Sequence, residues 1–428
     1  MAILKRPGED RPSTRRQRRL WTVAPFPELP AVPFEGHNVI EEIPDACGLL
    51  LFRWFRCVHL WVTVDETEGV APLFRETEAS SLVPAWGVLS VPEGIRVYVP
   101  TFALLAKAPS AVKAGDLAKA CAAISEWATE QGHTITAAMF AEAAAWLRPD
   151  SPEFMFCAGR ANRHAAAYVR AALWFERGVD VARRAADWTS YIDCLLGWGN
   201  LEITRGSYGQ ARRLLIRAYR SAKKYNIRAL GAAAQHDLFM LCVDERRFTE
   251  AYQHAASALS LYSATDPPFP YLVHDLAQTF ALDGYGALAL PLLLAVRTII
   301  DVPSAQIQIA GNIAGAAGLV GDLDQFYAAW DEVSRLATHP GPYVAAALIT
   351  VAEGAYALRL TRQAVDAATK GYQFAKQRKE PTEERRATEI LEKVRQAIPP
   401  PQPPRTKPEL VNLASRLLSE ITQRTAGN

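Results

Sequence analysis

One spacing constrains this chain more than any other property. Small or buried-type residues recur at 137, 171, 211, 251, 289, 326 and 364, at intervals of 34, 40, 40, 38, 37 and 38 residues. Each heads a segment with apolar residues three and four apart, the period of an amphipathic helix. Each is also preceded by another such segment and a short break. A period of this length points to helical hairpins stacked in one dimension, in which each unit buries its apolar face on its neighbours.

The stretch 189–225 shows the unit most clearly. Leu195, Leu196, Trp198, Gly199 and Ile203 mark one face of a first helix, and Arg205-Gly206-Ser207 breaks it. Tyr208, Ala211, Leu214, Leu215 and Ala218 then mark a second helix. Gly199 and Ala211 are small where two helices would cross closely. The other units read as 116–131 with 134–146, 151–163 with 166–186, 230–243 with 247–261, 271–281 with 285–300, 306–320 with 323–336, and 344–359 with 361–379. In the sixth, Phe326 and Trp330 replace the small residues.

The order Gly199-Asn200-Leu201, Gly206-Ser207-Tyr208, Ala211 resembles a tetratricopeptide repeat. The resemblance implies an all-α fold, an α-solenoid forming a right-handed superhelix of about seven TPR-like hairpins. It also implies that first helices line a concave groove that holds peptides or partner segments. Most units exceed the usual 34 residues of the family, so their helices or loops are longer than its norm.

Around the solenoid, which the sequence places at 115–398 with a capping helix at its end, four flanking segments stand out. Residues 1–45 form a basic, proline-rich arm, with seven Lys or Arg against Glu9 and Asp10 in the first twenty positions. Such an arm is either a solvated, disordered terminus or a contact for nucleic acid or an anionic surface. Residues 46–114 read as a helical cap, beginning with an apolar helix from Ala46 to Val64 and continuing as two or three short helices to about Lys113, with a brief strand at Ile95–Val99 as the alternative. The proline-rich run 399–409 reads as a stiff linker. Beyond it, 410–428 forms an amphipathic helix with Leu410, Leu413, Leu417 and Ile421 on one stripe, free to dock in cis, to dimerise or to engage a partner.

The basic start runs into proline-rich sequence rather than an apolar core, so no secretory signal is expected. Arg53, Arg56 and His59 interrupt the most apolar run, so no membrane span is expected either. Six scattered cysteines without a CxxC pair suit a reduced, cytoplasmic protein. Cys47, Cys57 and His59 match no zinc spacing.

No P-loop, nucleophile elbow, HExxH or EF-hand loop is present. The glycine-rich Gly311–Gly318 run lacks a dinucleotide-loop start and suits tight helix crossing instead. No enzyme activity, cofactor or metal is therefore expected. One constellation remains. His236-Asp237-Leu238 and His274-Asp275-Leu276 lie 38 residues apart, and Gly311-Asn312-Ile313 follows 37 later. With Asn200, Tyr271 and Gln278 they would form a polar ladder along the groove. Two readings follow: the ladder binds a partner, or its groups bond across neighbouring repeats and fix the stacking. The expected function is that of an adaptor or scaffold holding a peptide or protein segment. The alternative is a peptide-sensing or nucleic-acid-associated regulator using the basic arm. The oligomeric state and the partner's identity are left open.

Overall fold

The computed structural model describes residues 39–63, 91–339, 341–402 and 404–426. Most of the 1–45 arm, residues 64–90 of the cap and the last two residues lie outside this range. Among the described residues the chain is helical, with no strand.

Helices α1 (Val39–Glu42), α2 (Ala46–Thr63), α3 (Glu93–Arg96) and α4 (Val99–Lys107) form the cap. Trp54 of α2 stacks on Phe102 of α4 with centroids 4.5 Å apart, and both are fully buried. The brief strand at 95–99 does not form. Those residues lie across α3, a turn and the start of α4. The reason is local: Pro92 caps α3, and Pro100 occupies the first turn of α4, where a missing N–H costs nothing.

The solenoid follows as seven hairpins: α5 (Ala114–Glu130) with α6 (Thr134–Leu147), α7 (Pro152–His164) with α8 (Tyr168–Ala185), α9 (Trp188–Thr204) with α10 (Tyr208–Lys224), and α11 (Arg228–Asp244) with α12 (Phe248–Leu261). Then come α13 (Phe269–Leu282) with α14 (Gly286–Arg297), α15 (Pro303–Val320) with α16 (Leu323–Leu336), and α17 (Val344–Ala357) with α18 (Thr361–Arg378). Helix α19 (Pro381–Arg395) closes the stack, and α20 (Pro408–Ala426) ends the chain. The cap is joined to the first hairpin through Glu42. Its carboxylate accepts the Ile135 and Thr136 backbone N–H groups at 2.9 and 2.8 Å, at the N-terminus of α6.

Every turn inside a hairpin contains one residue with left-handed backbone: Gly132, Ala166, Gly206, Arg246, Gly284, Gly321 and Arg359. Each lies five positions before the residue at the crossing position of its second helix (Phe326 in the sixth unit, alanine in the others), so the turn repeats with the same period as the crossing. The crossings themselves need small residues. A Cβ on Gly199 would lie 2.5 Å from Leu215 Cδ2, and one on Gly318 would lie 2.4 Å from the Gly354 backbone. The glycine-rich run in α15 is thus a surface for close approach to α17. In the sixth unit Phe326 is fully buried and packs against Tyr327 and Trp330.

Two long-range contacts shape the whole. The α18–α19 junction returns to the α7–α8 turn, where Tyr168 donates to the Arg378 carbonyl at 3.0 Å and Arg378 donates to the His164 carbonyl. Tyr208 and Thr382 hydroxyls approach to 3.4 Å nearby. The second and last hairpins therefore touch, and the superhelix closes around its interior. The C-terminal helix docks in cis: Leu410, Ala414, Leu417 and Ile421 are buried in the same core as α14, and Arg424 donates to the Ala264 carbonyl at 2.8 Å.

Candidate interior binding site

The polar ladder forms a chain of hydrogen bonds from one first helix to the next. Asn200 of α9 donates to Asp237 of α11 at 3.1 Å. His236 Nε2 of α11 meets Asp275 of α13 at 2.8 Å. Asp275 also meets Nδ1 of His274 at 2.8 Å, and Asn312 of α15 meets His274 Nε2 at 3.0 Å. Since an Asn amide nitrogen only donates, His274 Nε2 accepts, and its proton sits on Nδ1 facing the carboxylate.

This arrangement sets the charges. Burial alone would raise Asp275, but hydrogen bonds from His236 and His274 hold it well below the usual carboxylate range. Burial works against a charged His236, yet the Asp275 bond and charge raise it above the ordinary imidazole value. Asp237 is pushed up to about 6 by burial, against the pull of His236 and the Asn200 bond.

Six of the eight predicted residues are thus bonded in two sets, Asn200 with Asp237 and His236 with Asp275, His274 and Asn312, and every bond between helices joins adjacent repeats. Gln278 and Tyr271 stand apart. Gln278 faces a cavity, and its Oε1 is buried without a hydrogen-bond partner. Tyr271 is 39% exposed at the start of α13 and does not line that cavity.

The cavity has a volume of about 430 Å³ and lies where the superhelix closes. Its apolar wall includes Ile203, Met240, Val243 and Leu282, from α9, α11 and α13. Its charged wall joins the second and fourth hairpins to the C-terminal end of the stack: Arg163, Arg246, Arg378, Arg385 and Arg386 against Asp244, Glu380, Glu383 and Glu389. Arg386 is clamped by Glu353 and Glu383 at 3.0 and 2.8 Å. Burial, aided by Glu383, pushes the Asp244 carboxyl up to about 7. Burial and the neighbouring Arg163 push His164 down to about 3, which keeps it neutral. Besides Gln278 Oε1, Arg163 Nε and Arg386 Nε are buried without hydrogen-bond partners, and both residues also line the cavity.

Sequence reasoning missed most of this wall. Arg163, Asp244, Tyr343 and Arg378 occupy helix ends and junctions and Arg386 the second turn of α19, with no shared motif. Only closure of the superhelix brings them together.

Among the described residues, one cluster has donor atoms near enough for a metal: Cys242, Glu250 and His254. A cation already holds it. Arg212 donates to Glu250 at 2.9 Å and to Cys242 Sγ at 3.6 Å, and His254 Nδ1 is engaged by Gln235 at 2.7 Å. No described helix is long and apolar enough to cross a membrane.

The fold and this interior define an all-α solenoid of TPR-like helical hairpins. No family model matches the sequence, and no curated protein matches it. Solved structures do. The Rap conjugation gene regulator of the plasmid pLS20, in complex with the Phr* peptide, is 12% identical with a TM-score of 0.49, over 82% of this chain and 96% of that one. The apo form of RapI is 14% identical with a TM-score of 0.45, over 66% of this chain and 98% of that one. A Rap protein complexed with competence and sporulation factor is 12% identical with a TM-score of 0.44, over 82% and 98%.

Proposed function

We propose that this protein binds a short peptide segment in the closed interior of its solenoid, with the cavity as the recognition pocket and the ladder as its rigid support. The observation that carries this reading is the set of unpartnered polar atoms on the cavity wall. Gln278 Oε1 is an acceptor, and Arg163 Nε–H and Arg386 Nε–H are donors. A buried polar group without a partner costs about 1–3 kcal/mol, so such atoms gain from any ligand that satisfies them. A peptide backbone offers the complement, one donor and one acceptor per residue. The cavity volume falls in the usual range of about 300–1,000 Å³ for ligand sites, and its mix of apolar and polar lining is typical of them. With five arginines facing four carboxylates, the wall favours a mixed, zwitterionic ligand over a polyanion.

The ladder on this reading is not itself the contact surface. Its groups satisfy one another and hold α9, α11, α13 and α15 in register beneath the pocket.

The test is affinity selection from a randomised six-residue peptide library, followed by calorimetry with the selected sequence. Met240→Trp fills the cavity from its apolar wall, and Gln278→Ala removes the free acceptor. Both variants should melt close to wild type, with the peptide's affinity reduced at least tenfold. Unchanged affinity in folded Met240→Trp would place the peptide elsewhere and defeat the reading.

A further inference from the structure

Helix α10 carries Arg212, Arg213, Arg217, Arg220, Lys223 and Lys224, and no acidic residue. Arg212 turns away to Glu245 and Glu250. Arg213, Arg217, Arg220 and Lys224 are all exposed. Their spacing of four, three and four residues puts them on one face of the helix, in a line about 16 Å long at 1.5 Å per residue.

Among the described residues, no carboxylate pairs with any of the four. The hydrogen bond of Arg217 is to the Tyr191 hydroxyl at 2.7 Å, over whose ring its guanidinium lies. Other exposed helix faces of this protein behave differently. Arg362 with Asp366, Arg385 with Glu389 and Arg416 with Glu420 are opposite charges one turn apart. Like charges at that spacing cost a helix about 0.2–0.5 kcal/mol per pair. Lys223 and Lys224 offset this at the C-terminus through the helix dipole, but Arg213, Arg217 and Arg220 lie in the body of the helix. The arrangement is repulsive until an external anion meets it.

The face also says what kind of anion fits. None of the large apolar side chains exposed among the described residues lies on α10. A protein partner would call for an apolar centre and a membrane surface for an apolar face, and neither is there. Single-stranded nucleic acid would call for rings open to stacking bases. Here Tyr225 is already stacked on Trp188, with centroids 4.1 Å apart. A straight row of cations on a rigid helix suits a regular row of charges on a rigid partner, and guanidinium groups suit phosphate.

We propose that the outer face of α10 binds the phosphate backbone of duplex DNA without reading its sequence. No residue of α10 lines the interior cavity, so this activity is separate from ligand binding inside the solenoid.

The test is fluorescence anisotropy of a labelled 24-base-pair duplex with the full-length chain, across a salt series. Four phosphate contacts contribute about −3.6 to the slope of log K against log salt. Arg213→Gln/Arg217→Gln/Arg220→Gln/Lys224→Gln should flatten the slope by about that amount and weaken binding on the order of 100-fold at about 50 mM salt. A control with the same net charge, Arg335→Gln/Arg362→Gln/Arg395→Gln/Arg416→Gln, should bind as wild type does. Circular dichroism and melting of both variants establish folding. The proposal fails if wild type ignores the duplex, if the control loses as much as the α10 variant, or if polyglutamate of equal charge competes as well as DNA.

Discussion

Arg378 reaches across 214 positions of sequence to place two N–H groups on the carbonyl of His164, both at 3.1 Å. That carbonyl ends α7, where the last backbone acceptors of a helix have no partner of their own. The guanidinium also meets Glu380 at 2.8 Å and is almost fully buried. A charged capping contact between two solenoid ends thus turns an open superhelix into an enclosed one.

Arg378→Ala should remove this clasp. Hydrogen bonds from a charged group contribute about 1.5–3 kcal/mol, and the buried Glu380 carboxylate is left without its cation. We expect a lower melting temperature, faster amide exchange at the α7–α8 turn and weaker peptide binding. Unchanged exchange there would show that the two ends are held by other contacts.

Asp275→Asn should uncouple the ladder. An amide cannot accept from both histidines while its own NH2 group faces one of them, so a buried donor is lost at about 1–3 kcal/mol. The carboxylate that raises His236 also disappears while its burial remains. In NMR titrations His236 should therefore titrate at lower pH in the variant than in wild type. Equal titration would mean that Asp237 alone governs His236.

Asp244 gives the pH dependence a definite sign. Its folded-state pKa of about 7 lies above the ordinary carboxylate value, so between about 4 and 7 the folded state holds a proton that the unfolded state has released. This group lowers stability as pH rises through that window. Asp244→Asn should be more stable than wild type at pH 8, with the difference vanishing towards pH 4. Thermal melts across that range would show it, and a constant difference would refute it.

The hairpin turns allow a paired test. Gly321 adopts φ +82°, whereas Arg359 holds the equivalent turn of the next hairpin at φ +61°. Left-handed backbone costs a residue with a Cβ about 1–2 kcal/mol, part of which glycine returns as unfolded-state entropy. Gly321→Ala should destabilise by about 1 kcal/mol and Arg359→Gly should stabilise by about 0.5–1 kcal/mol, both read by denaturant unfolding. Opposite signs would mean that the Arg359 side chain contributes more than its backbone loses.

The sequence by itself determined the hairpins, because their causes are local. Amphipathic spacing, a small residue at every crossing but the sixth and a left-handed turn five positions before that position all recur with one period, and the helix limits lie within a few residues of those read from it. It also placed His236, Asp237, His274, Asp275 and Asn312 at matching heights on successive helices, which is why bonds between neighbouring repeats connect them. At 95–99 it left a short helix and a brief strand both open, because the residues are apolar and β-branched; two prolines set helix starts there.

Only the tertiary structure decided that the ladder's groups satisfy one another, that the stripe on α20 is buried on α14, and that the second hairpin meets the last. These outcomes depend on the rotation from each repeat to the next, summed over the whole array. No local window of sequence contains that sum. The cavity, with the unpartnered Oε1 of Gln278 and Nε of Arg163 and Arg386 on its wall, exists only where the sum closes.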